Sequence, residues 1–248
     1  MLRRAFLGTM GAGFMSTFAF ADELNHDDVW LREDQKIPFL SVLKKLDQIE
    51  HTVGYANFNL ISFDEALKIA KNYPKIEPFT QAELQYIEEV FYEDPSKYGF
   101  HGKRTCFNLS ETINEKEVIK IAHSGHYLYR GHSLESFERI LKDVGSSIIL
   151  TSGIRGIVKQ LSLHLEKIKS ENGNVTLATR SLVPPGYSYH TTGDFDVGKK
   201  GWGHENFTPN FARTTEFWSL QKLPYISMRY TLGNQDGVRF EPWHVKIV

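Results

Sequence analysis

Residues 225–248, YISMRYTLGNQDGVRFEPWHVKIV, decide the fold class. Tyr225 to Tyr230 is rich in apolar and aromatic residues and reads as a strand, and Val238 to Val248 contains a second. Asn234 to Gly237 supplies the turn between them, because Asn, Asp and Gly tolerate turn backbone geometry. Two consecutive strands with a short connection predict an antiparallel pair. Upstream segments are largely helical, so the expected class is α+β, a small antiparallel sheet flanked by helices behind a mainly helical N-terminal half.

Working outward, Phe39 to Ile49 has apolar residues at helical spacing. Ser62 with Glu65, and Thr80 with Glu83, are capping-box pairs, predicting helices to about Lys71 and Tyr92. Asp94-Pro95 breaks the chain. Asn114 to His123 is expected to be a short helix. Ser133 with Glu135 and Glu138 starts another that ends at Gly145. Ser147 to Thr151 reads as a strand, Ile157 to Ser170 as an amphipathic helix stopped by Asn172-Gly173, Tyr187 to Val197 as strand-like, and Thr208 to Gln221 as one helix.

Three regions are expected. Residues 1–21 read as a signal peptide: Arg3-Arg4, an uncharged run from Ala5 to Phe20, and the small-x-small site Ala19-Phe20-Ala21. Arg3-Arg4-Ala5-Phe6-Leu7 resembles the twin-arginine export motif, with a Sec signal as the alternative. Either route implies a periplasmic or cell-envelope protein. Residues 22–145 form the helical region, and 146–248 the core. No stretch of the mature chain is long and apolar enough for a stable membrane span. A net charge of -1 and the lack of a Lys/Arg run argue against nucleic acid as a partner. One cysteine, Cys106, excludes an internal disulfide and a Cys-rich zinc site. Its neighbours form no nucleophile motif, so a buried structural thiol is expected.

Of ten histidines, two have a context for chemistry. His51, His101, His164 and His204 read as surface or hydrogen-bonded structural residues. His123, His126 and His132 cluster without an acidic partner at ligand-like spacing. His190, by contrast, lies in Ser188-Tyr189-His190-Thr191-Thr192-Gly193-Asp194-Phe195-Asp196. A fully extended strand would separate His190 from Asp196 by about 20 Å at ~3.3 Å per residue. Both can hold one metal only if the chain turns at Thr192-Gly193. His244 follows Glu241 by three residues. Two imidazoles and a carboxylate make a three-ligand zinc set with a fourth position for water, and a nearby carboxylate such as Glu241 can take that water's proton. The alternative is that each His packs and hydrogen-bonds.

These blocks resemble the zinc D-alanyl-D-alanine carboxypeptidases and dipeptidases related to vancomycin resistance, which share a fold with the hedgehog signalling domain. The resemblance spans roughly Ser147 to Val248. It rests on Thr151-Ser152-Gly153-Ile154-Arg155 with Gln160, Ser188-x-His190-x-x-Gly193 with Asp196, the spacer Thr208 to Tyr230, and Glu241-Pro242-Trp243-His244. It implies zinc as cofactor on His190, Asp196 and His244, carried by the sheet. It also implies Glu241 as base, Arg155 steadying substrate or oxyanion, and Gln160 and Ser188 as substrate contacts. The implied reaction is hydrolysis of a terminal D-alanine, D,D or L,D, from a peptidoglycan stem peptide. Two alternatives stay open: an endopeptidase of the same fold and a non-catalytic zinc-containing binding module. The family's spacing from first His to Asp is seven residues and here it is six. Asp196, inside Phe195-Asp196-Val197, is the preferred alignment, with Asp194 as the substitute ligand.

Overall fold

A computed structural model describes residues 27–247. The expected signal peptide lies outside these residues. Helix α1 (Lys36–Val53) buries Val42, Leu43, Leu46 and Ile49 of the predicted stripe, with Phe39 in place of Leu40, which is exposed, and stops at Gly54 in a positive-φ conformation. A single turn, α2 (Tyr55–Phe58), follows. Helices α3 (Phe63–Asn72) and α4 (Gln81–Tyr92) begin at Ser62 and Thr80 as predicted. In both, the cap hydroxyl accepts from the glutamate N–H while the glutamate carboxylate returns to the cap N–H.

The expected helix over Asn114 to His123 is not one. After a 3-10 turn capped by Asn114, Val118–Lys120 forms β1 and pairs antiparallel with β2 (Tyr127–Tyr129). Val118 and Ile119 are β-branched and find partners in Tyr129 and Leu128, which local periodicity could not foresee. Helix α5 (His132–Val144) ends at Gly145 as predicted, but Gly131 rather than Ser133 occupies its cap. The Ser133 hydroxyl instead donates to the Gly193 carbonyl at 2.8 Å, tying α5 to the turn before the fourth strand.

Strand β3 (Ile148–Ser152) and helix α6 (Ile157–Ser170) follow the prediction. Asn172 and Gly173, both at positive φ, stop α6. An unanticipated short helix, α7 (Val175–Ser181), starts where the Asn174 side chain accepts from Leu177 N–H at 2.9 Å. The strand expected over Tyr187 to Val197 is shorter: Tyr189–Thr191 is a 3-10 turn and β4 is Phe195–Lys199. The helix expected over Thr208 to Gln221 is split into a 3-10 segment (Pro209–Arg213) and α8 (Thr215–Leu220). Thr214 makes the break. Its hydroxyl donates to Phe211 carbonyl and accepts from Phe217 N–H, closing one segment and capping the next.

Strands β5 (Ile226–Met228) and β6 (His244–Ile247) pair antiparallel as predicted, but they are joined by the long connection 229–243 rather than by a short turn. The sheet order is β3-β4-β6-β5, antiparallel throughout. Strand alternation sends Phe195, Val197 and Val245 into a core with Phe137 and Ile140 of α5 and Phe217 and Leu220 of α8. Asp196 and His244, cross-strand partners in register, therefore share the opposite face. A second core gathers residues of α1, α3, α4, α6 and α7, so α6 packs on the N-terminal helices. Among the described residues, no helix is long and apolar enough to cross a membrane.

Gly153, just past β3, lies so close to Tyr127 that an added Cβ would sit 2.0 Å from its carbonyl oxygen. Gly153→Ala should lower stability by about 1–3 kcal/mol, the cost of overpacking. Urea denaturation checks this; an unchanged midpoint would show that the hairpin yields without cost.

Candidate metal centre

The turn required between His190 and Asp196 is present. The 3-10 turn at Tyr189–Thr191 and Gly193, at φ 116°, reverse the chain before β4. Asp194 N–H closes that reversal on the Tyr189 carbonyl at 3.2 Å. The result places His190 Nε2 3.4 Å from Asp196 Oδ2. From β6, His244 Nδ1 lies 3.3 Å from Asp196 Oδ1. One ligand atom from each of His190, Asp196 and His244 falls within 4.8 Å of the others, and all three residues are buried.

Each imidazole is oriented by its other nitrogen. His190 Nδ1 lies 2.8 Å from the Gly153 carbonyl, so that nitrogen carries the proton and the Nε2 lone pair is free. His190 Nε2 and Asp196 Oδ1 are buried with no hydrogen-bond partner among the described residues. Buried polar atoms are normally satisfied. Two orphaned electron-pair donors facing one point are what a divalent cation would satisfy, so this donor set fits zinc.

The electrostatics of His190 and Asp196 agree with this, whereas His244 is held protonated and must give up its Nδ1 proton to join them. Burial, reinforced by the Arg155 charge, pushes His190 down to about 4, leaving it neutral. Burial would raise the Asp196 carboxyl, but His190, Arg155 and His244 hold it well below the usual carboxylate range. Burial alone would lower His244, but hydrogen bonds to Asp194 and Glu241 raise it to about 9. Glu241 sits in the turn before β6, its N–H on the Tyr230 carbonyl at 3.0 Å. Its Oε2 is 3.7 Å from His244 Nδ1. Burial raises the Glu241 carboxyl, with His244 opposing.

The other sequence-selected residues reach the same cleft, a cavity of about 330 Å³ lined by Arg155, Gln160, Ser188, His190, Asp196, Glu241 and His244. Arg155 is not free: its guanidinium donates to Ser152 Oγ at 2.8 Å and to Asp196 Oδ2 at 2.6 Å. Gln160 donates from Nε2 to the Val183 carbonyl at 2.7 Å. Asp194, the substitute ligand, lies elsewhere. It meets His244 at Nε2, on the far side of the ring from Asp196.

Three further residues belong to the cleft: Tyr55 and Lys159, which no motif marks, and His126, from the histidine cluster without a ligand-like partner. His126 is buried, its ring edge-on to Tyr55 with centroids 5.5 Å apart, whereas His123 and His132 are exposed. Nothing local marks these positions, because they meet the site only through packing. Cys106 is the buried thiol expected. Burial and the Glu111 carboxylate push it up to about 12, which removes it as a nucleophile. His164 is likewise structural, with Nδ1 2.7 Å from the Leu182 carbonyl.

The profile of the D-alanyl-D-alanine carboxypeptidase family, VanY, matches residues 129–248. No curated protein matches the chain. Among solved structures, it is similar to the LdcB LD-carboxypeptidase at 19% identity and TM-score 0.44, over 52% of this chain and 63% of that one. The vancomycin-resistance D,D-dipeptidase VanXYg, in complex with a D-Ala-D-Ala phosphinate analogue, gives 22% and 0.44 over 49% and 51%. The D,D-pentapeptidase VanY, in complex with Zn(II), gives 22% and 0.41 over 53% and 78%. The chain thus spans less than two thirds of the first two structures.

Proposed function

We propose, from the premise that residues 129–248 belong to the D-alanyl-D-alanine carboxypeptidase family, that this protein is a zinc-dependent carboxypeptidase removing a terminal D-alanine from peptidoglycan stem peptides. The observation that carries the reading is the convergence of His190 Nε2, Asp196 and His244 Nδ1 with two buried donors unpaired and a buried carboxylate alongside. Zinc held there would acidify a water molecule and polarise the scissile carbonyl.

The chain's own residues do the rest. Glu241 takes the proton from the attacking water and passes it to the leaving amine, a role favoured by a carboxyl that burial makes more basic. Arg155 stands against Asp196 with its remaining donors available to a substrate carboxylate or a developing oxyanion. Gln160 and Ser188 form part of the wall that the peptide would touch. The region 22–145 contributes Tyr55 and His126 to the same cleft, and an N-terminal signal would deliver the protein to the periplasm or cell envelope.

The test is incubation with purified muropeptides and, separately, with casein, read by mass spectrometry. Loss of one alanine from muropeptides, abolished by chelation and restored by zinc, is the expected result. Internal cleavage of stem peptides would replace the carboxypeptidase with an endopeptidase. Casein digestion with intact muropeptides would refute the cell-wall substrate. Stoichiometric zinc binding without hydrolysis of either would leave a non-catalytic zinc module.

A further inference from the structure

We infer that Asp194 is the positioning residue of His244, held for that task by Arg229; the inference rests on the zinc reading above. Asp194 and Asp196 are two residues apart and present their carboxylates toward the same histidine. The His244 ring lies between them. Asp196 faces Nδ1, and Asp194 Oδ2 lies 3.1 Å from Nε2. A carboxylate at Nε2 keeps the proton on that nitrogen and turns the Nδ1 lone pair toward His190 and Asp196.

Asp194 has no capacity left to act as a ligand itself. Its Oδ2 also accepts from Arg229 Nε. Its Oδ1 accepts from Arg229 Nη2 and from Ile247 N–H, both at 3.2 Å. The carboxylate is 3% exposed and has four donors on two oxygens. Arg229 is fixed in turn. Its guanidinium carbon lies 3.5 Å from the centroid of the Tyr189 ring, and the Arg229 backbone N–H donates to the His244 carbonyl. Tyr189 precedes His190, so one arginine braces the segments that carry both imidazoles. This arrangement assigns the nearby aspartate a place behind the histidine rather than in front of it.

The test compares the full-length protein with Asp194→Asn and Arg229→Lys. Zinc affinity is measured by chelator competition, and the cobalt-substituted protein by its visible absorption. Metal-free thermal melting is followed in parallel. Asn keeps the shape but opposes an amide to donors, and Lys keeps the charge but loses the two-pronged contact. Asp194→Asn is expected to weaken zinc binding 10–100-fold and to shift the cobalt spectrum, with Arg229→Lys toward the lower end, as loss of an outer partner does. A lowered metal-free melting temperature with parental zinc affinity and spectrum would make Asp194 merely structural and overturn the inference alone. If Asp194→Asn does not fold, Arg229→Lys decides by the same two readouts. A parent protein that binds no stoichiometric zinc would overturn the metal reading and this inference together.

Discussion

Glu241→Gln is expected to lower kcat for D-alanine release by about 10²–10⁴-fold, the usual contribution of a positioned general base. Glutamine matches the carboxylate in size, so the turn that hydrogen-bonds to Tyr230 should persist. What is lost is a proton acceptor beside the site where His190, Asp196 and His244 converge. Zinc affinity should stay within a few-fold of the parent, because the proposed ligands are His190, Asp196 and His244. Steady-state kinetics with a muropeptide, paired with metal titration, checks both halves. A variant that holds zinc and turns over at the parental rate would remove Glu241 from the mechanism. Loss of zinc along with activity would instead make it a ligand.

The largest expected stability effect lies away from the cleft. Glu83→Ala should cost about 3–5 kcal/mol, the penalty for leaving a buried charge without its partner. Glu83 accepts from Lys45 Nζ through both oxygens, at 2.8 and 2.7 Å, from the Ser41 hydroxyl, and from Thr80 N–H at 2.6 Å. Side-chain exposure is 5% for both members of the ion pair. Alanine would leave the Lys45 ammonium in the helical core with the Pro78 carbonyl and the face of the Phe79 ring, and would remove the carboxylate half of the capping box of α4.

The pH dependence follows with a definite sign. Burial tends to raise the Glu83 carboxyl, but the bonds from Lys45, Ser41 and Thr80 and the Lys45 charge outweigh it, so the net shift is downward. A carboxyl lowered on folding contributes its full stability above the ordinary glutamate range. That contribution is lost as pH falls through the folded value. Urea denaturation from pH 7 down to pH 3 should therefore show the gap between parent and Glu83→Ala closing toward acid. A gap that stays constant would mean the carboxylate charge is not what Lys45 requires.

Local elements were legible where one segment holds all the interactions that define it. Ser62–Glu65 and Thr80–Glu83 close their capping boxes within four residues, and both helices start where predicted. The failures have two causes, a partner outside the segment or a local side-chain bond that interrupts it. Val118–Lys120 becomes a strand because Tyr127–Tyr129 pairs with it, and Thr214 divides a periodic stretch through its own hydroxyl. Gly131 replaces Ser133 as a cap because the serine is engaged by Gly193, sixty residues away.

The site divides along the same line. Residue chemistry by itself brought out His190, His244, Glu241 and a carboxylate following His190, since imidazoles and carboxylates carry their functional groups whatever the fold. Residue type could not rank Asp196 against Asp194; the resemblance preferred Asp196, at a spacing one residue short. Tertiary structure sets the two carboxylates on different sides of His244 through strand register. Asp196 pairs with His244 across β4 and β6 and meets Nδ1, while Asp194 meets Nε2 under the hold of Arg229. Which nitrogen a carboxylate reaches depends on a pairing between strands nearly fifty residues apart, and no local pattern encodes that distance.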